Sequence, residues 1–326
     1  MRAYIIRRLL LIIPLLFGVS LITFVLLRLA PGDPVLAMLA DARGSGPQLT
    51  AEDRATLRRQ YGLDRPMVLQ YVDWLQEVLK GNLGRSVVSQ RPVTEMILER
   101  LPNTVRLAAI AFVLTLAIAL PLGVFSAVKQ YSKLDYLLTF FSFAGISIPG
   151  FWLALMLMYL FAVQLDLLPT RGMTPLSPKP DPVANFFETA KHYILPVISM
   201  TVVGLASYMR YQRAAMLEVL AQDYVRTAQA KGLRDWVVIV GHAWRNALLP
   251  VLTLLGYVFV FLVEGSVVVE TIFSWPGMGS MAISALQGRD YPLVMGIVLL
   301  SALAVLVGTL LSDILYAIAD PRVRFD

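Results

Sequence analysis

The sequence has no cysteine, only two histidines and little charge: 15% of its 326 residues are Asp, Glu, Lys or Arg, against roughly 25% in a typical soluble domain. Without cysteine there is no disulfide framework and no thiolate metal site, and two histidines argue against a histidine-rich metal centre. No G-x-x-x-x-G-K-[ST] occurs, so the chain has no P-loop with which to cradle ATP. G-x-S-x-G and H-E-x-x-H are missing too, which removes the easily recognised hydrolase readings. Gly277 and Gly279 in PGMGS lack the dinucleotide-binding unit that would have to follow them and read as a turn.

What fills the chain is apolar: 57% of the residues are hydrophobic and the mean hydropathy is +0.68. This composition predicts an all-α, polytopic membrane protein in contact with a lipid bilayer. The net charge of +6 then serves first to orient the spans, and nucleic acid is not an expected partner. The N-terminus resembles a signal peptide, yet Leu9 to Leu27 is 19 uncharged residues with no A-x-A after it, so a retained first span is expected. Six runs are long enough to cross a bilayer: 9–27, 105–128, 137–165, 193–208, 247–269 and 293–319. In the third, Pro149 within GISIPGFW predicts a kink or break, and the run counts as one bent span. The fourth gives the weakest signal, being short and holding Pro196, Ser199 and Thr201.

Six spans place both termini on one side. The segments on that side carry thirteen Lys and Arg, and the short loops opposite carry four, Arg171, Lys179, Lys191 and Arg289. The positive-inside rule makes the side with thirteen cytoplasmic. The organisation expected is a first spanning helix over 1–28, an extracytoplasmic helical segment over 29–104, and a five-span domain over 105–326 with a cytoplasmic loop at 209–246. Within 29–104, Thr50 and Asp53 resemble a capping box. Pro66 opens an amphipathic run through Val68, Tyr71, Val72, Leu75, Val78 and Leu79 that ends at Gly81. Such helices suit either a docking cap for a partner or a lid packed on the span ends.

Ionisable groups inside spans mark function in ion-coupled transporters. The candidates are Glu264, which either lines a pathway or makes a structural hydrogen bond, and Asp313, expected to pair with a loop arginine. A proton-coupled secondary transporter is the alternative class these two residues keep open.

The stretch DYVRTAQAKGLRD, residues 223–235, is polar and cytoplasmic. Asp223 near its start and Lys231 near its end match the helix macrodipole, and Gly232 suits a left-handed position just past the end. A second helix, Trp236 to Leu249, follows. Tyr224 offers an anchor for a partner, and Thr227, Ala228 and Ala230 let another backbone approach. The bland reading is a solvated basic loop that only enforces topology.

This stretch resembles the cytoplasmic E-A-A-x-x-x-G loop of ABC importer permeases, with Gly232 at the glycine and Ala228 at the third letter, while Arg226 and Thr227 depart from the first two. YVRTAQAKGL followed by RNALLP is similar to the peptide/nickel permease family. So are RRLLLIIPLLFGVSLITFVLLRLAPGDP, YGLDRPMVLQYVDWL, GNLGRS, GISIPGFWLAL, ETIFSWPGMG, RDYPLVMG and DPRVRF. The resemblance implies the type I ABC importer permease fold and a place in a bacterial or archaeal inner membrane. It implies a second homologous permease, one or two cytoplasmic P-loop ATPase subunits, and an extracytoplasmic substrate-binding protein. ATP and magnesium would then be held by the ATPases, with no cofactor in this chain. Coupling would pass through Asp223, Tyr224, Arg226, Thr227, Ala228, Ala230, Lys231 and Gly232. A weakly specific polar pathway would draw on Ser147, Glu264 and Ser266, with Pro149 and Asp313 in structural or coupling roles. Di- and oligopeptides are the expected cargo; nickel chelates, glutathione and oligosaccharides are alternatives within the family.

Overall fold

Backbone N–H and C=O groups in hydrocarbon find no water, so each apolar run satisfies its own backbone by becoming a helix. The computed structural model describes residues 2–29, 56, 64–251, 258, 261–263 and 265–319. All its regular structure is helical; among the described residues the only β pairing is an isolated bridge between Arg85 and Pro92. The helices are α1 (Arg2–Leu29), α2 (Met67–Leu79), α3 (Val93–Val128), α4 (Lys133–Ser147) and α5 (Gly150–Met158), the last continuing as a π-helical turn over Tyr159–Gln164. There follow α6 (Pro182–Leu220), α7 (Asp223–Ala230), α8 (Asp235–Val237), a π-helical stretch over Val238–Trp244, α9 (Arg245–Ala247), α10 (Val267–Ile272), α11 (Met278–Gln287) and α12 (Tyr291–Ala319).

Among the described residues four helices are long and apolar enough to span a bilayer, within α1, α3, α6 and α12. The pair α4–α5 adds a fifth if counted as one span, bent by 98° at its break. Pro149 stands at that break as the N-cap of α5, as its missing N–H predicts. The fifth run, 247–269, lies partly outside the described residues, as do the capping pair Thr50 and Asp53 and the residue Glu264. The fourth run reads short in the sequence, yet α6 is a single helix of 39 residues passing through Pro196. Its polar ends extend beyond the apolar window that hydropathy detects. Asp181 starts it by accepting from the N–H groups of Val183 and Ala184, with Pro182 in the first turn.

α3 and α6 pack along each other and form the centre of the molecule, α4 and α5 lie against α6, and α1 pairs with α12. Leu107 and Ala111 of α3, Leu195, Val197 and Met200 of α6, Val269 of α10 and, just beyond it, Phe273 and Trp275 share one buried cluster. An ion pair of 3.0 Å between Arg8 and Asp313 ties the beginning of α1 to the end of α12. Asp313 thus pairs with an arginine on the first helix, where a loop arginine was expected, because α1 and α12 pack side by side. α2 begins at Pro66 and is followed by Gly81 at φ +84°, matching the sequence reading. Its Tyr71 is buried between Phe17 and Phe24 of α1 and shares a 2.8 Å hydrogen bond with Ser20. The helix therefore packs on the spans as a lid would.

Candidate functional site

α7 follows directly from the end of α6 and has two faces. Val225 and Ala228, both buried, pack with Met216 of α6 and with Val238, Ala243 and Ala247 of the following helical stretch. Asp223, Tyr224, Arg226, Thr227 and Ala230 stay exposed, Tyr224 by 42%. The polar groups of α7 bond locally: Thr227 Oγ1 donates to the Asp223 carbonyl at 2.8 Å, and Arg226 sits 3.5 Å from the Asp223 carboxylate in an exposed pair that contributes little to stability. Asp223 lies in the first turn and Lys231 caps the last, through N–H bonds to the carbonyls of Thr227 and Gln229. Gly232 has φ +74° and nothing within 4 Å of where a Cβ would stand. The left-handed conformation alone, not crowding, selects glycine there.

Ala228 departs from its expected place with the docking residues. It is 6% exposed and belongs to the chain's own buried cluster, where it helps to seat the helix. Conversely, Leu233, Trp236 and Val240, exposed by 40, 64 and 46%, extend the apolar part of this surface beyond Tyr224. The stretch from Trp236 to Leu249, expected as one helix, is instead divided among α8, the π-helical stretch and α9, the last ending at Ala247.

Behind α7, α6 is clamped to α3 and α4. The Arg213 guanidinium donates to both Asp135 oxygens at 3.0 Å, a bidentate pair. Asp135 is 3% exposed and also accepts from the Ser126 hydroxyl and, at 3.0 Å, from the Tyr131 N–H.

Of the pathway candidates, the two serines bond to nearby backbone. The Ser147 hydroxyl donates to the Phe143 carbonyl at 2.9 Å, within its own helix. Ser266 caps α10 by accepting from the Val269 N–H. Both hydroxyls serve local backbone, the ordinary work of serine in and before helices. Glu264 lies outside the described residues, and Asp313 is held by Arg8. A recess of about 230 Å³ lies elsewhere, between α3 and α6, and is bordered by Phe112, Thr115, Gly204, Tyr208 and Phe261. No group of three or more His, Cys, Asp or Glu able to hold a metal occurs among the described residues.

On the side opposite α7, sequence reasoning passed over the most enclosed carboxylate. Glu270 is fully buried and accepts from Thr104 Oγ1 of α3 at 2.8 Å and from the Ser280 N–H at 3.0 Å. Burial pushes its carboxyl up from the ordinary value, against the lowering effect of those bonds. α10 and α11 are too short to cross a bilayer, and the WPGMG turn between them folds back over this acid. A Cβ on Gly277 would collide with the carboxylate and stand 2.5 Å from Thr104 Oγ1, and one on Gly265, at φ +64°, would stand 2.5 Å from the Thr104 methyl. Trp275, fully buried, donates to the Asn103 carbonyl at 3.2 Å while Asn103 donates to the Pro276 carbonyl at 3.0 Å. A second buried acid, Asp290, accepts from the Ser86 hydroxyl and, at 3.0 Å, from the Val87 N–H, fastening the loop before α3 to the start of α12. Each acid stands near glycines or a turn, ETIFSWPGMG and QGRDYP, which was the available signal.

Two family models match the chain. The binding-protein-dependent transport system inner membrane component covers residues 119–325, and the N-terminal part of such membrane components covers 1–108. The chain is 43% identical to the oligopeptide transport system permease protein AppB of Bacillus subtilis over the full length of both. It is 40% identical to the dipeptide transport system permease protein DppB of Escherichia coli K12, with 99% of each chain covered. For the di/tripeptide transport system permease protein DppB of Pseudomonas aeruginosa the identity is 42%, again over 99% of each. Among solved structures it resembles a chain of the MetNI methionine ABC transporter with TM-score 0.52 at 15% identity, covering 68% of this chain and 97% of that one, a likeness of fold alone. A multi-pass helical fold, the two matched models and full-length relatives agree: this chain belongs to the family of inner-membrane components of binding-protein-dependent transport systems.

Proposed function

We propose that this chain is the permease subunit forming half of the membrane pathway of an ATP-driven importer of di- and oligopeptides. The observation that carries the coupling role is the two-faced α7. Val225 and Ala228 hold it to the chain, while Tyr224, Arg226, Thr227, Ala230 and Lys231 face outward in a region that is otherwise basic. A chain without a P-loop needs an energy source elsewhere, and an exposed rigid helix at the end of a 39-residue span is a means of receiving it. In this reading α7 faces the cytosol, and both termini lie on that side. One or two ATPase subunits hold ATP and magnesium beneath it, a second permease completes the pathway, and an extracytoplasmic binding protein delivers cargo. The peptide substrate class is supported by three full-length relatives named for oligopeptides, dipeptides and di- or tripeptides.

Mechanistically, closure of the ATPase pair displaces α7, and the Arg213–Asp135 clamp transmits the movement from α6 to α3 and α4. The recess beside Thr115 and Tyr208 is the candidate pathway surface, apolar enough to pass side chains without holding them. Ser147, Ser266 and Glu264 remain the polar contributors to that pathway in this reading.

The test is affinity purification of the tagged full-length chain from its native membrane, with identification of the subunits that accompany it and an assay of ATP hydrolysis. A second multi-span permease and P-loop ATPases are expected, with substrate-stimulated hydrolysis. Recovery of the chain alone, transporting under a proton gradient without ATP, would overturn the reading.

A further inference from the structure

A cavity of about 580 Å³ opens on the side opposite α7, between α1, α2, the loop 82–90 and the start of α12. That volume lies within the roughly 300–1,000 Å³ of small-molecule sites, and the cavity shares no lining residue with the α3–α6 recess. Phe24, Trp74 and Met295 give it an apolar floor. Its charges have both signs and sit on different walls. Asp73 and Glu77 lie one turn apart on α2, while Arg28 comes from the end of α1 and Arg85 from the loop.

Among the described residues the arginines are poorly matched. Arg28 is half-buried with its guanidinium 5.3 Å from the centre of the Phe24 ring, and among the described residues no carboxylate pairs with it. Arg85 donates to the Gln90 carbonyl at 3.0 Å and likewise has no carboxylate among them. Among the described residues the acids are engaged by exposed partners, Asp73 with Arg65 at 3.0 Å, and Glu77 with Lys80 at 2.7 Å and with the Asn82 amide at 2.8 Å. Exposed pairs of that kind contribute about 0–1 kcal/mol and exchange readily. A purely anionic ligand would meet the two acids and a purely cationic one the two arginines, whereas a ligand carrying both charges satisfies both walls.

We propose that this cavity binds a small zwitterion, its oxyanion at Arg28 and Arg85, its ammonium at Asp73 and Glu77, and its apolar part on Trp74 and Phe24. Two sources share that chemistry at a membrane surface, a short peptide and the headgroup of an aminophospholipid. The peptide source rests on the function proposed above; the site itself does not.

Trp74 in the wall supplies the readout. The full-length chain is placed in nanodiscs of phosphatidylglycerol, which carries no ammonium, and its tryptophan fluorescence is followed during titration. The probes are dialanine, N-acetyl-dialanine amide and a short-chain phosphatidylethanolamine, and a Trp74→Phe chain isolates the signal of this wall. A saturable Trp74-dependent change with either zwitterion, absent with the blocked peptide, is expected. Arg28→Gln should weaken it at least about tenfold. Arg85→Gln, on the exposed loop, keeps the test open if the α1 variant does not fold. Response to dialanine alone assigns the site to peptide, and response to the lipid alone assigns it to lipid. An equal response to N-acetyl-dialanine amide, no saturable response to either zwitterion, or unchanged affinity in both arginine variants would overturn the proposal. Because this assay needs no ATPase, its failure leaves the import reading standing, and the failure of that reading leaves the binding result standing.

Discussion

α7 meets the rest of the chain through two buried side chains, Val225 and Ala228, whereas the turned-back pair α10–α11 on the opposite side is fastened by Glu270, Thr104, Trp275 and Asn103. Apolar contact is non-directional, so a helix seated that way can shift and repack at modest cost. A buried carboxylate holding donors from α3 and from the turn has one good geometry, and losing it leaves polar groups unsatisfied. The difference separates a part suited to being pushed from a part suited to staying still. Arg213 and Asp135 share the second character although they lie close behind α7, so α6, α3 and α4 are fastened to one another at that point more firmly than α7 is to α6.

Four substitutions break or sharpen this contrast. The largest effect is expected from Glu270→Ala, which deprives the Thr104 hydroxyl and the Ser280 N–H of their acceptor at about 1–3 kcal/mol each. Folded yield and thermal unfolding in detergent measure it, and unaltered stability would show that the cage does not fasten this side. Next comes Ala228→Leu, which overpacks the seat of α7 at about 1–3 kcal/mol, set against Ala230→Leu on its exposed face. The first should lower stability and transport together and the second transport alone; equal stability losses would erase the distinction between the two faces. The smallest is Gly232→Ala. With open space around it, the only penalty is a left-handed alanine, about 1–2 kcal/mol. Normal insertion with reduced peptide uptake is the expected outcome, and full uptake would remove Gly232 from the coupling surface.

Much of this architecture was legible because its signals are local. Uncharged runs became helices, Pro149 marks a break, and the interval from Asp223 to Gly232 gives a helix with a left-handed stop. The extent of α6 was not legible, because its ends carry Glu188, Lys191, Arg213 and Glu218 and look like loop to a hydropathy window. Nor were the buried acids: Glu270 finds Thr104 across 166 residues, Asp290 finds Ser86 across 204 and Asp135 finds Arg213 across 78. Nothing in the neighbourhood of Glu270 distinguishes it from the surface acid Glu218 except the glycines that make room for it. Ala228 illustrates the converse limit, since a small residue on a short helix suits a seat and a docking face equally well. Only its contacts with Met216 and Val238 decide between them.

The 39 residues of α6 run without a break for about 58 Å at 1.5 Å per residue, roughly twice the hydrocarbon thickness. In the mechanism proposed above, a rod of this length would serve as a lever across the membrane. For a rod of that length a tilt of about 10° would move one end by about 10 Å relative to the other, so in the coupling proposed above a push at α7 would be felt at Asp181 on the far side.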